Sequence, residues 1–214
     1  MLKWLLACLV LCAAAPTTVF AQATSRPCAV PADGDHPGPA CLLAQSDLGQ
    51  LPAGDLYWHV TGFDDPAAAN AAKGGDGTVT QAFGRYWLFA IGPKHDPRPG
   101  ETQVGPLPVT DREGRFVAEY LQSTFAPGMT APVHVHSGPE AFYVVSGDTC
   151  LESPDGAQVA HGPGSSLIIR QGPPMLLMAT GTGLRRGFAL ILHDQTHPPT
   201  TLVHDWTPKG LCHM

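Results

Sequence analysis

The stretch PVHVHSGPEAFYVVSG, residues 132–147, decides the fold that this sequence predicts. One residue separates His134 from His136, and Glu140 follows after the turn formers Ser-Gly-Pro. Alternate residues of a β-strand point to the same face, so both imidazoles project together if this segment is extended. A hairpin-like return after the turn brings the Glu140 carboxylate to that face. The stretch therefore predicts two short strands that present two imidazoles and one carboxylate to a common interior.

This set of side chains suits a metal ion. Two neutral imidazoles and one carboxylate are ligands for a borderline divalent metal. A His-x-His pattern alone is weak evidence, because any half-exposed strand alternates polar residues. By the same period of two, Phe142 and Val144 share the strand face of Glu140. We expect both to line a partly apolar pocket that holds a small organic molecule.

Short apolar segments continue on both sides of this stretch. Glycine (24 residues) and proline (22 residues) make up about a fifth of the chain and separate these segments with turns. Short strands at this spacing predict a β-sandwich or a closed β-barrel. The predicted strands are RFVAEYLQSTF, VHVH, EAFYVVSG, DTCLES, AQVAH, SSLIIR, MLLMAT and GFALILH, all within residues 115–193.

The first half of the chain is less regular. One short helix is predicted from Pro66 to Lys73, with Asp64 or Asp65 as its cap and Gly74 at its end. The other segments predicted here are strands at 56–60 and 85–91, an irregular lead-in at 24–54 and a long loop at 92–108.

The central stretch resembles the first motif of the cupin superfamily. Gly128, His134, His136, Glu140 and Gly147 match that motif at every position. The resemblance implies an all-β fold, an antiparallel jelly-roll barrel, here with an N-terminal extension that contains the short helix. It also implies that the two histidines and the glutamate bind one transition metal, commonly iron, manganese, nickel, copper or zinc.

The resemblance covers roughly residues 115–195. The organisation that we predict is a signal peptide at 1–21, an N-terminal extension with added strands and a short helix at 22–110, a cupin β-barrel at 111–195 and a C-terminal tail at 196–214.

The second cupin motif is degenerate. Gly156 and Gly164 stand where the family has glycines, but Met175 stands where the family has its fourth ligand, a histidine. Three interpretations remain open. Metal binds through the remaining three ligands, or the Met175 thioether adds a soft ligand for copper, or no metal binds and the methionine is core packing.

The leader MLKWLLACLVLCAAAPTTVFAQA has the pattern of a secretory signal peptide. Its apolar run is too short to span a bilayer of about 30 Å, which favours cleavage over a membrane anchor. Cleavage removes Lys3 and no acidic residue, so the net charge goes from −6 to −7. An acidic chain without a Lys/Arg cluster argues against nucleic acid or an anionic membrane as partner. We expect a periplasmic or secreted protein; the resemblance leaves a homodimer open, because cupins often pair.

Four cysteines remain after cleavage, an even number that favours two disulfides in an oxidising compartment. Cys28 and Cys41 bracket a short Pro/Gly-rich loop, so we favour their pairing among the three possible connectivities. Cys150 would then pair with Cys212 and tie the tail to the body of the protein.

Other polar residues have simpler interpretations. His59 is interpreted as a packed strand residue with one hydrogen bond. For His193 we favour a capping or surface role, with a side chain that reaches the barrel mouth as the alternative. The charges of Arg170, Arg185 and Arg186 would attract an anionic ligand, but their positions at loop edges favour plain surface.

The function that follows is a metal-dependent, dioxygenase-like oxidation of a small organic molecule. Two histidines and one carboxylate with open positions are the ligand set of non-haem Fe(II) oxygenases. The alternatives are a small-molecule-binding protein without metal and a periplasmic copper-binding module that uses Met175. The sequence contains no nucleophile elbow, phosphate loop or zinc-protease helix motif.

Overall fold

The computed structural model describes residues 25–29 and 36–214, and these residues form a β-protein with one short helix. The predicted signal peptide lies outside the described residues. The elements are β1 (Gly38–Gly49), β2 (Tyr57–Phe63), α1 (Pro66–Ala72), β3 (Thr78–Ala82), β4 (Arg85–Gly92), β5 (Glu101–Val104), β6 (Phe116–Phe125), β7 (His134–His136), β8 (Glu140–Ser146), β9 (Asp148–Ser153), β10 (Gly156–His161), β11 (Ser166–Ile169), β12 (Leu176–Thr180), β13 (Arg185–Asp194) and β14 (Thr200–Leu202).

The strands form an antiparallel barrel and a sheet that covers it. The largest sheet has the order β1-β6-β13-β8-β11, and the sheets β10-β9-β12 and β14-β7 complete the barrel. Apolar side chains from six of these strands, β6 and β8 to β12, meet in one buried cluster inside it. The fourth sheet, with the order β3-β4-β2-β5, packs against the outside. The predicted all-β, antiparallel fold with one short helix is confirmed.

Strand β6 lies between the two layers, which explains its sequence. Leu121 and Phe125 face the barrel interior. Ala118 and Tyr120 face outward, into a second apolar core that lies between the barrel and the covering sheet. There the Tyr120 ring stacks on Phe89 of the covering sheet, with centroids 4.9 Å apart. A strand covered on both faces is apolar on both, so RFVAEYLQSTF lacks a simple polar–apolar alternation.

The helix forms as predicted. Asp65 is its N-cap, and the carboxylate accepts hydrogen bonds from the backbone N–H groups of Ala67 and Ala68. Pro66 occupies the first turn, where its missing N–H costs nothing. The cap, the alanine-rich sequence and the contacts with β2 and β4 together stabilise this short helix.

Two segments predicted to be irregular are strands. Residues 38–49, inside the predicted lead-in, form β1 and pair with β6; residues 101–104, inside the predicted loop, form β5 and pair with β2. Both are edge strands of their sheets, and hydrogen bonds to a partner order them although their own pattern is weak. The predicted tail contains β14, which pairs with β7. The boundaries at 111 and 195 stay predictions.

Both favoured disulfides are present. Cys28 pairs with Cys41, and Cys150 pairs with Cys212. The tail is also held by Glu152, whose carboxylate accepts hydrogen bonds from backbone N–H groups, the one of Leu211 at 2.8 Å. Two disulfides are typical of proteins from an oxidising compartment. Across residues 25–29 and 36–214, no helix is long and apolar enough to cross a membrane.

Candidate metal centre

The turn between β7 and β8 positions the three predicted ligands. A Cβ atom on Gly138 would lie 1.8 Å from the backbone oxygen of Leu192, so only glycine fits where this turn crosses β13. The Leu192 N–H donates to the Pro139 carbonyl at 3.1 Å and holds the turn there. Glu140, the next residue, begins β8 with its side chain directed into the barrel. The Ser-Gly-Pro sequence therefore sets the direction of the carboxylate.

His134, His136 and Glu140 meet inside the barrel, as the sequence predicts. The three side chains are buried, and one donor atom from each lies within 4.8 Å of the others. The two Nε2 atoms are 2.9 Å apart, and His136 Nε2 is 2.9 Å from Glu140 Oε2. Two ligands that are each about 2.1 Å from one ion, at right angles, are themselves about 3 Å apart. The spacing therefore fits a shared metal ion.

Backbone carbonyls determine which ring nitrogens are available. His134 Nδ1 lies 2.6 Å from the Pro132 oxygen, and His136 Nδ1 lies 2.9 Å from the Pro199 oxygen. A carbonyl only accepts, so each Nδ1 carries the hydrogen and each neutral ring presents a lone pair on Nε2. Two lone pairs that face each other at 2.9 Å repel unless a cation or a proton lies between them.

Glu140 adds a second sign of a cation site. Its Oε2 is close to His136 Nε2, but the geometry is not that of a hydrogen bond, and no described donor satisfies this buried oxygen. Burial lowers the pKa of His136, but the Glu140 carboxylate, the Pro199 carbonyl and the charge of Glu119 together outweigh burial and leave that pKa raised. Burial, together with the charge of His136, lowers the pKa of His134. The donor set therefore fits a divalent metal, which would take the place of the shared proton.

Met175 lies beside this group. It forms an isolated antiparallel bridge with His134, in which the Met175 N–H donates to the His134 oxygen at 2.9 Å and the reverse bond is 3.3 Å. Residues directly opposite in an antiparallel pair project to the same face. The Met175 side chain is 1% exposed and belongs both to the cavity wall and to the apolar cluster. All three interpretations of this methionine therefore remain.

The ligands stand at one side of a cavity of about 370 Å³. Phe142 lines it as predicted, but Val144 lies outside its wall, fully buried in the apolar cluster next to Phe142. Ser25, Arg26 and residues 39–41 also line the cavity. The other apolar side chains of the wall include Leu121, Phe125, Met129, Leu177, Ile191 and Leu202.

Three further buried polar residues belong to the barrel, and two of them were expected elsewhere. Arg185 is 1% exposed, although a surface position was predicted for it, and His193 is 4% exposed, although a capping or surface role was favoured over the barrel mouth. Each follows the period of two along β13 from Ile191, which lines the cavity. Glu119, which sequence analysis did not select, lies 4.0 Å from His193 Nε2 and accepts a hydrogen bond from Ser25. The period of two along β6 and β13 was the signal that could have predicted that these three side chains face the barrel interior.

A second group of His and Glu residues lies outside the barrel. His59 Nδ1 is 2.8 Å from Glu101 Oε1, and His95 Nε2 is 3.4 Å from the same oxygen. The two imidazole rings stack with centroids 4.5 Å apart. His59 is buried with this one hydrogen bond, as predicted. The Glu101 carboxylate accepts hydrogen bonds from His59, Gln103 and the Arg98 N–H, and so connects three residues of this part of the protein.

The protein is thus an antiparallel β-barrel in which two histidines and one glutamate line the internal cavity. Residues 121–182 match the family described as "Cupin domain". This segment, which includes His134, His136 and Glu140, is therefore similar to cupin domains. No curated protein matches the chain.

The solved structures that match part of this chain include an oxalate oxidase in complex with the substrate analogue glycolate, with 21% identity over 40% of this chain and 46% of that chain, and a TM-score of 0.35. A cupin-2 domain protein from Shewanella frigidimarina has 16% identity over 34% of this chain and 68% of that chain, with a TM-score of 0.30. A DMSP lyase structure has 16% identity over 41% of this chain and 44% of that chain, with a TM-score of 0.35. The match thus spans less than half of the oxalate oxidase chain.

Proposed function

We propose that this protein is an exported metal-dependent enzyme that oxidises a small organic molecule in a dioxygenase-like reaction. The observation that carries the proposal is the convergence of two Nε2 lone pairs and one unsatisfied carboxylate oxygen beside an apolar cavity. His134, His136 and Glu140 would hold the metal. Three protein ligands leave positions for substrate and O2.

The bound metal would supply the site at which O2 and substrate meet and exchange electrons. Dioxygenation places both oxygen atoms of O2 in the product, so the substrate supplies the four electrons and no separate reductant is needed. The chain's own residues do the rest. The Pro132 and Pro199 carbonyls keep each imidazole in the tautomer that offers Nε2. Apolar side chains such as Phe142 and Leu177 bind the organic body and exclude water.

Export is part of the proposal. The leader has the pattern of a signal peptide, and the two disulfides suit the periplasm or the exterior of the cell. Protein produced by export should therefore be used for metal analysis, because the disulfides form in that compartment.

The test begins with metal content. Exported protein is incubated separately with Fe(II), Mn(II), Zn(II), Cu(I) and Cu(II), desalted and measured by elemental analysis, with His134→Ala as comparison. We expect about one ion per chain in the parent and a large loss in the variant. Nitric oxide, a surrogate for O2, should then give the EPR signal of a high-spin iron nitrosyl in the Fe(II) protein. A parent chain that retains none of these metals contradicts the proposal.

One observation favours a second candidate function, a copper-binding module. Met175 faces the same side as His134, and a thioether is a soft ligand that selects Cu(I). Retention of copper alone, dependent on Met175, would support this function over the oxygenase. If no metal is retained but small organic molecules bind, the protein is a non-catalytic binding protein.

A further inference from the structure

Arg185 is a buried cation within the barrel. It begins β13, and the period of two places it on the strand face of Ala189 and Ile191, both of which line the cavity. Its residue exposure is 1%. A charge so far from water is costly unless an anion or a full set of hydrogen bonds compensates it.

The contacts of Arg185 leave it without an anion. Nε donates to Thr149 Oγ1 at 2.7 Å, Nη1 donates to Ser123 Oγ, and Cζ lies 5.9 Å from the centre of the Phe125 ring. These partners are neutral. Nη2 is buried without a hydrogen-bond partner, and no carboxylate of the described residues forms an ion pair with this guanidinium. The charge of Glu140 acts on this guanidinium from a distance, but no anion touches it.

Gly187 lets the guanidinium lie along the inner face of the strand. A Cβ atom on Gly187 would be 2.8 Å from Arg185 Nη2 and 3.0 Å from Cζ. Ala189, two residues further on the same face, already belongs to the cavity wall. The small residues at 187 and 189 thus leave the charge close behind that wall.

Ser123 connects this charge to the cavity. Ser123 lines the cavity, and its Oγ accepts the hydrogen bond from Arg185. An oxygen that accepts from a cation keeps its own hydrogen for another acceptor, and the cation makes that hydroxyl a stronger donor. No described residue accepts a hydrogen bond from the Ser123 hydroxyl, so its hydrogen is available to a ligand in the cavity.

We propose that the Ser123–Arg185 end of the cavity binds the carboxylate of a small organic acid with an apolar body. The Ser123 hydroxyl offers a donor to one carboxylate oxygen, and the Arg185 guanidinium behind it supplies the positive charge that stabilises the anion. The apolar wall accommodates the rest of the molecule. This inference rests on the proposed function in one respect: the acid is taken to be the substrate of the metal site. It names the substrate class, which the metal ligands do not.

Acid and amide pairs of equal shape test the inference. Binding of isovalerate and isovaleramide, and of phenylacetate and phenylacetamide, is measured by calorimetry on the exported full-length protein, both loaded with Zn(II) and stripped of metal. The variants are Ser123→Ala and Arg185→Met. The control is Ser146→Ala, since the Ser146 hydroxyl donates to the Leu184 carbonyl and not into the cavity.

We expect the parent and the control to bind at least one acid about tenfold or more tightly than its amide, because a hydrogen bond to a charged group is lost in the amide. Ser123→Ala and Arg185→Met should abolish most of this preference. Equal binding of acid and amide, or a preference that persists in Ser123→Ala, would overturn the inference. So would an Arg185→Met variant with a lower melting temperature and an unchanged preference, which is the result of a purely structural role.

The design separates this inference from the proposed function. A Ser123-dependent preference for acids in protein that retains no metal supports the inference and rejects the enzyme proposal. One metal ion per chain without a Ser123-dependent preference does the reverse. A preference that depends on metal but not on Ser123 places the carboxylate on the ion and rejects the Ser123–Arg185 site.

Discussion

His134 and His136 bring their Nε2 atoms within 2.9 Å of each other, while a backbone carbonyl faces the Nδ1 atom of each ring. This geometry distinguishes a pair of histidines that is oriented to bind a metal from two histidines that only share a strand face. Three segments produce it: β7 carries the histidines, and the segments that contain Pro132 and Pro199 provide the carbonyls.

Loss of one ligand should weaken metal binding strongly. We expect Glu140→Gln to reduce Zn(II) affinity by about 100-fold or more, because removal of even an outer partner of a ligand costs about 10- to 100-fold. The measurement is competition with a chelating dye. His161→Ala is the control, since the His161 side chain is 75% exposed and lies away from the site. Equal affinity in Glu140→Gln and the parent would show that Glu140 is not a ligand.

Met175 should respond differently to two substitutions. Met175→His restores an imidazole beside His134, and we expect Zn(II) affinity to rise by about tenfold or more. Met175→Leu keeps the volume but removes the sulfur, so its Zn(II) affinity should stay at the parent value. The affinities for Zn(II) and for Cu(I) are measured by competition with a chelator. Lower Cu(I) affinity in Met175→Leu would assign the thioether as a copper ligand.

Gly138 should tolerate no side chain. Because a Cβ atom would lie 1.8 Å from the Leu192 oxygen, Gly138→Ala should move the turn before Glu140 and lower the free energy of unfolding by about 1–3 kcal/mol. Metal affinity should fall as well. Gly183→Ala is a matched control, since open space surrounds that position. Urea unfolding of the two variants provides the comparison, and equal stability would contradict the crowding.

The two disulfides should differ in their effect on stability. The loop-entropy relation gives about 4 kcal/mol for the bridge that spans 62 residues and about 3 kcal/mol for the bridge that spans 13. We therefore expect Cys150→Ala/Cys212→Ala to lose more stability than Cys28→Ala/Cys41→Ala. The first pair also frees the tail that Glu152 holds. Thermal and urea unfolding will give the order, and the reverse order would reject the entropic explanation.

Glu101 should make stability depend on pH. Burial raises the pKa of Glu101, but hydrogen bonds from His59 and the Arg98 N–H and the charge of His95 outweigh burial and lower it. Glu101→Gln should cost about 1–3 kcal/mol at pH 7. Because the pKa of Glu101 is lower in the folded than in the unfolded protein, the ionised carboxylate stabilises the folded state above the unfolded pKa, and this stabilisation is lost as pH falls through the folded pKa. The difference in stability between the parent and Glu101→Gln should therefore disappear in strong acid. Unfolding from pH 7 to pH 3 tests this; Asp155→Asn, at an exposed ion pair, is the control.

The sequence predicted what depends on local periodicity. His134, His136 and Glu140 were placed on one face by the strand period of two and the turn between them, and the helix by its cap and alanines. The disulfide pairing followed from loop length and from the even number of cysteines. Apart from Cys150 and Cys212, which are 62 residues apart and were paired by elimination, the residues that decide these outcomes are near one another in the chain.

Tertiary structure decided what depends on distant pairing. Strands β1 and β14 join the barrel because β6 and β7 offer them unpaired hydrogen-bonding edges, which their own residues do not reveal. Arg185 and His193 lie inside because other strands cover that face of β13. The carbonyl that orients His136 comes from Pro199, 63 residues later. A residue pattern states which side chains share a face, but only the packing of remote segments states what that face contacts.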